Sequence, residues 1–359
     1  MHAPTTDPSP TTGRATAWLR RRLGRAVVLS YAGALFLPGP GLWLRHTHTL
    51  PLGPLLYLSL CTAPCLLSLV LFSAGLQVPV NELGRVLRRP SALLAGLALH
   101  LAIPLLVIPL VAFLLHKSPD TDGGSGLVTA MILIVAMPVA AGATVWTGKG
   151  DGGDQPTMVG LVLASTLLSP LTAPLVIRLL SPLLSGGYAD SLAASIHTAG
   201  GGVTLVGVVL PCAAGILLRL ALPPSWLSQV LGVVMPVTLV GSLVLTYVNA
   251  SGALGTFVAQ PRPLLFAAAL VVAALVCLLS FVLGRCAARL LRLDPPAASS
   301  LTLACGMNNS SASAVLITAT LPDKPHLLLP VLACGLLQKT AANRVVRAGL
   351  RRPAWASPG

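Results

Sequence analysis

The stretch SSLTLACGMNNSSASAVL sets Gly306, Asn308, Asn309, Ser310, Ser311 and Ser313 in the middle of an apolar run. Four consecutive amide or hydroxyl side chains at membrane depth are costly unless they face protein, water or a ligand. Contacts between helices seldom need four adjacent polar residues, so the cluster reads as a binding feature. A second irregular stretch, LIVAMPVAAGATVWTGKGD, carries Pro138 and Gly142 near the middle of its apolar run, with Thr144 just beyond. Proline removes a backbone donor and clashes with the preceding turn, while glycine favours unwinding. Taken alone, Pro138 reads as a simple helix kink.

These residues have to be held by membrane elements. Of the 359 residues, 55% are apolar and only 9% charged, against about 25% charged in soluble proteins. The composition predicts an all-α polytopic membrane protein integral to the plasma membrane. An outer-membrane barrel would alternate apolar and polar residues, and these runs are continuous. The chain carries a formal charge of +14. Its basic residues punctuate the apolar runs instead of gathering on one face, which excludes nucleic acid as a partner and leaves the lipid bilayer.

Ten spans are predicted, at roughly 26–43, 54–76, 91–115, 127–146, 157–180, 201–220, 229–248, 263–283, 297–320 and 326–342. With both termini cytoplasmic, the inside segments hold 18 of the 23 Lys and Arg, as the positive-inside rule asks. Residues 1–25 read as a disordered basic leader and 343–359 as a basic tail. The spans divide into five-helix repeats, 26–180 and 200–342, with the break near the TAGGG of Thr198 to Gly202. Five is odd, so the second repeat starts from the opposite side and the repeats are inverted, a transporter plan with the site at the midplane. The fourth and ninth spans are then equivalent, both broken, and expected to cross there. Half-helix N-termini aimed at that point favour an anion.

An enzyme would need a nucleophile with a base, or paired carboxylates. All nine acidic residues lie in predicted loops or tails, and no HExxH motif is present. No catalytic residue and no metal site are assigned. The seven cysteines lie in or beside apolar runs and read as small buried hydrophobes.

Three stretches make the chain resemble the bile acid:sodium symporter superfamily. GLQVPVNELGRVLRRP, Gly75 to Pro90, resembles the exit of the family's second helix; Pro138 with Lys149-Gly150-Asp151 resembles its broken fourth helix; and GMNNS, Gly306 to Ser310, resembles its Gly-Met-Gln-Asn-Ser motif. The resemblance implies panel and core domains that interleave across both repeats, and alternating-access transport of an organic anion, commonly with sodium. The family's sodium-liganding glutamate falls on Ala304, and its Ser-Asn pair on Ala143 and Thr144. The motif's Gln is Asn308, the Gln of the third span is His100, and the fifth-span ligands fall near Met158 and Val162. The thiol that arsenite-extruding relatives place beside the proline is absent, its neighbours being Met137 and Val139.

A dehydrated hard cation needs oxygen ligands, so conventional sodium coupling is expected to be lost or weakened. The expected substrate site is Pro138, Gly142, Thr144, Gly306, Asn308, Asn309 and Ser310. His100, Asn308 and Gln338 are candidates for ion or proton coupling, although His100 reads first as a core histidine. No cofactor is assigned. The expected function is secondary transport of a small or amphipathic organic anion, the alternatives being a proton-coupled or uncoupled carrier, or a non-transporting sensor on the same fold.

Overall fold

In the computed structural model, residues 22–46, 48–51, 57–78, 90–115, 124–147, 153–197, 205–259 and 261–350 are described. Most of the leader, the TAGGG break, the Lys149-Gly150-Asp151 stretch and the basic run after Val78 lie outside them. Nearly all described residues are helical, because uninterrupted apolar sequence in lipid must satisfy its backbone internally. Among the described residues four helices are long and apolar enough to cross a membrane, and a fifth crossing is reached if one bent pair counts as a single span. The chain forms two compact units, each built from segments of both halves of the sequence.

The first unit takes residues 1–78 and 210–255. It contains α1 (Leu23–Phe36), α2 (Pro38–Arg45), a ribbon of β1 (His48–Pro51) and β2 (Tyr57–Leu60), then α3 (Thr62–Leu76), α9 (Leu210–Ala221) and α10 (Pro224–Ala259) up to Gly255. Two expectations are corrected here. The first span is not one rod: α1 and α2 meet at 93°, because Pro38 has no N–H to continue the ladder and disfavours helix at Leu37. Its carbonyl instead accepts a bond from Tyr247 Oη at 2.5 Å. The second span does not begin as helix. Residues 57–60 pair antiparallel with 48–51, Thr49 opposite Ser59, a short ribbon in an otherwise helical membrane fold.

Helices α3 and α9 meet backbone to backbone. A Cβ on Gly75 would stand 2.2 Å from the Cys212 carbonyl oxygen, and one on Gly215 2.1 Å from that of Phe72. The two backbones touch because both positions lack side chains. Arg219, in the last turn of α9, donates Nη1 to the Leu76 carbonyl at 2.9 Å and caps the end of α3.

The second unit takes residues 79–209 and 256–359. It holds α4 (Pro90–Leu115), α5 (Ser125–Val135), α6 (Ala143–Thr147), α7 (Gln155–Leu180), α8 (Gly187–His197), α11 (Pro263–Leu290), α12 (Pro295–Gly306), α13 (Ser310–Thr320) and α14 (Leu328–Leu350). Helix α11 packs along α12 and α14, and α4 along α7. Nearly all of α5 is buried, which makes it the core of the unit, whereas α4, α7 and α11 leave large apolar residues exposed as lipid-facing helices do. Cys212, Cys277, Cys305 and Cys334 are buried as expected. Cys65 and Cys286 are exposed, because their helices turn apolar faces outward, and Cys61, just before α3, is half-buried.

Candidate functional site

The segments expected as the fourth and ninth spans are each interrupted, at Pro138 and after Gly306, and in the second unit the interruptions meet. The cause is Pro138. Having no N–H, it leaves the Ile134 carbonyl without its ordinary partner, and the Met137 amide closes a tighter turn onto that oxygen at 3.2 Å. Helix α5 therefore ends at Val135, only residues 138–140 run extended, and a turn at 141–142 leads into α6. In the ninth span α12 stops at Gly306 and α13 restarts at Ser310.

The two extended pieces cross as a short antiparallel bridge, Val139 opposite Asn308. The Ala140 amide donates to the Met307 carbonyl at 2.8 Å, and the Asn309 amide to the Pro138 carbonyl at 3.0 Å. Interrupted backbone inside an apolar core survives because each break supplies the other's missing partners.

Asn309 caps the helix that follows it. Its Oδ1 accepts from the Ala312 amide at 3.1 Å, the N-cap arrangement that satisfies one of the orphan donors of a helix start. The Nδ2 donors remain for another group. Asn308, 6% exposed, makes no side-chain hydrogen bond to a described residue. Two buried amides beside the start of α13 thus offer N–H groups together with the positive end of a helix dipole.

The remaining expected residues spread around this crossing. Thr144 is half-buried in α6 and donates Oγ1 to the Ala141 carbonyl at 2.8 Å. Gly142 is exposed. Ser310 is half-buried at the first turn of α13, its amide donating to the Asn308 carbonyl at 2.9 Å. Gly306 is buried under the Phe281 ring. His100 on α4 and Gln338 on α14 sit on helices packed against α12, and neither bonds to the bridge. Gln338 donates to Cys334 Sγ at 3.4 Å, and His100, 7% exposed, makes no hydrogen bond to a described residue. Ala304 is 2% exposed in α12, so its position is buried and supplies no oxygen ligand.

Two residues outside the expected set do much of the holding. Ser165 on α7 accepts from the Val139 amide at 3.1 Å, and Ser313 on α13 donates to the Leu133 carbonyl at 3.1 Å. The Ser-Thr content of α7 and the serine run of the ninth span contain them. Which backbone atom each would meet follows only from the crossing.

The glycines give a direct check. A methyl at Gly306 would come within 2.4 Å of the Phe281 ring, whereas one at Gly142 would meet nothing within 4 Å. Gly306→Ala is expected to cost about 1–3 kcal/mol by overpacking and to lower the melting temperature of the purified protein by a few degrees, with Gly142→Ala neutral in the same thermal-shift assay.

A family profile described as the sodium bile acid symporter family matches residues 64–260. Two proteins of Bacillus subtilis (strain 168) are similar over most of the chain. One, named "Uncharacterized sodium-dependent transporter YocS", is 25% identical over 256 residues, covering 70% of this chain and 72% of its own. The other, named "Uncharacterized protein YbaS", is 23% identical over 283 residues, covering 78% and 85%.

Proposed function

The chain belongs to the sodium bile acid symporter family, and from that premise we propose that this membrane transporter is a secondary carrier moving a small or amphipathic organic anion by alternating access. The observation that carries the reading is the meeting of the two breaks, where the buried Asn308 and Asn309 amides stand beside the start of α13. No Asp or Glu occurs in α4 to α7 or α11 to α14. Donor groups unopposed by carboxylates favour an anion and disfavour a desolvated cation.

The full architecture belongs to the same proposal. Ten spans in two inverted repeats, with both termini cytoplasmic, fit the basic-residue bookkeeping and the pairing of the fourth span with the ninth. Substrate would meet Pro138, Gly142, Thr144, Gly306, Asn308, Asn309 and Ser310. Sodium coupling is weakened in this reading because the buried Ala304 provides no charge to offset the ion's dehydration. His100 or Gln338 then remains for proton coupling, or the carrier runs uncoupled.

Flux in proteoliposomes tests this, using a panel of a bile acid, a keto acid and a sulfonate under a sodium gradient, a proton gradient or neither. The expected result is saturable anion flux with less than twofold stimulation by sodium. Steep sodium stimulation would overturn the argument from Ala304, and would match the dependence in the name of the Bacillus relative. Saturable binding without flux would move the protein to a sensor. If flux follows the proton gradient, His100→Gln should remove that dependence; an unchanged dependence eliminates His100.

A further inference from the structure

The shortened turn at Pro138 leaves an unmet need one residue upstream. In a continuous helix the Met137 amide would bond the Leu133 carbonyl. Here that amide is turned to Ile134, so the Leu133 oxygen loses its helical donor. It lies in the fully buried stretch of α5, where an unmet carbonyl carries its whole desolvation penalty. Ser313 Oγ, itself 0% exposed, donates to this oxygen at 3.1 Å and lies 3.1 Å from the Asn309 carbonyl. The next backbone donor of the break, the Val139 amide, finds Ser165 Oγ at 3.1 Å, while that hydroxyl donates back to Val162 at 3.1 Å.

We propose that Ser165 and Ser313 are positioning residues that hold the crossing of the two broken spans closed by hydroxyl-to-backbone bonds, without a bound ion or substrate. The inference rests on the reading of this crossing as the transport site, but its test needs no transported compound. Ser313 binds α13 to α5, and Ser165 binds α7 to the extended piece after Pro138. With both bonds made, the bridge amides of Ala140 and Asn309 stay registered on Met307 and Pro138, so the donors of Asn308 and Asn309 are presented in one geometry before any ligand arrives. A site arranged in advance avoids an ordering cost on binding. An ion that bridged the two spans would add little to an assembly already closed by protein groups.

The experiment is hydrogen–deuterium exchange with mass spectrometry on the full chain in lipid nanodiscs, with no anion added, in sodium chloride and in choline chloride. In the wild type, exchange of the Val139, Ala140 and Asn309 amides is expected to be the same in both salts. Ser313→Ala is expected to speed exchange at Ala140 and Asn309 about tenfold, with α11 and the first unit unchanged. Ser165→Ala should do the same at Val139, and Ser313→Thr, which keeps the hydroxyl, should retain protection. Protection of wild-type bridge amides by sodium overturns the proposal. So does unchanged bridge exchange in both alanine variants, or acceleration spread evenly over the molecule, which marks a general packing role. If Ser313→Thr fails to fold because the methyl is not accommodated, the Ser165→Ala arm and the salt comparison still decide. Failure of anion flux would leave all of these readouts intact, so the two readings fall separately.

Discussion

Gly215→Ala is expected to prevent accumulation of folded protein. Its methyl would stand 2.1 Å from the Phe72 carbonyl oxygen and 3.0 Å from the Leu76 amide nitrogen, and no rotamer change relieves a clash with backbone. Helices α3 and α9 would have to separate by the difference between that distance and ordinary contact. Separation would also pull Arg219 off the Leu76 carbonyl. Overpacking of a tight interface typically costs about 1–3 kcal/mol, and more when the neighbour is unable to yield. Domain stability is only about 5–15 kcal/mol, so this change removes a large part of it. Gly39→Ala, in the same unit with nothing within 4 Å, is the control. Yield of monodisperse protein on size exclusion after detergent extraction is the measurement, and a normal peak for Gly215→Ala would refute the backbone contact.

Asn309→Ala is expected to lower anion flux at least tenfold while leaving the protein folded. The substitution removes the cap on the Ala312 amide, a loss of about 0.5–2 kcal/mol, and with it the free Nδ2 donors beside the crossing. Asn309→Asp separates the two effects. A carboxylate caps a helix start as well as an amide does, so thermal stability should stay near wild type. It offers no N–H and adds a negative charge where an anion is to bind, so flux should fall as far as in Asn309→Ala or further. Proteoliposome uptake read beside thermal shift decides between them: retained flux in Asn309→Asp would place the substrate elsewhere.

The sequence made the long helices legible because apolar length is a property of one segment alone. The third, fifth, seventh and eighth spans correspond to α4, α7, α10 and α11; the first two match closely, α11 runs on to Leu290, and α10 overruns the expected 229–248 at both ends, from Pro224 to Ala259. The breaks were legible too, since Pro138 and the polar run from Asn308 to Ser311 violate local rules inside apolar sequence. What stayed hidden depends on a partner. Pro38 signals the bend locally, but the Tyr247 hydroxyl that takes up the freed Leu37 carbonyl is far away in the chain. The start of the second span became a strand because His48 to Pro51 pairs with it. Ser165 and Ser313 gain their meaning from two carbonyls and an amide that only the folded unit brings near. Gly75 and Gly215 look like any other glycines of the chain until the two backbones are laid side by side.

The bridge between Val139 and Asn308 also sets a schedule for assembly. Nearly half of the chain separates its two sides, and synthesis proceeds at about 5–20 residues per second. The Pro138 break therefore leaves the ribosome on the order of ten seconds before its partner exists. During that interval Ser165 is already made and can meet the Val139 amide, while the Leu133 and Pro138 carbonyls still lack Ser313 and Asn309. The pairing of the two breaks therefore closes only after Met307 and Asn309 have been made.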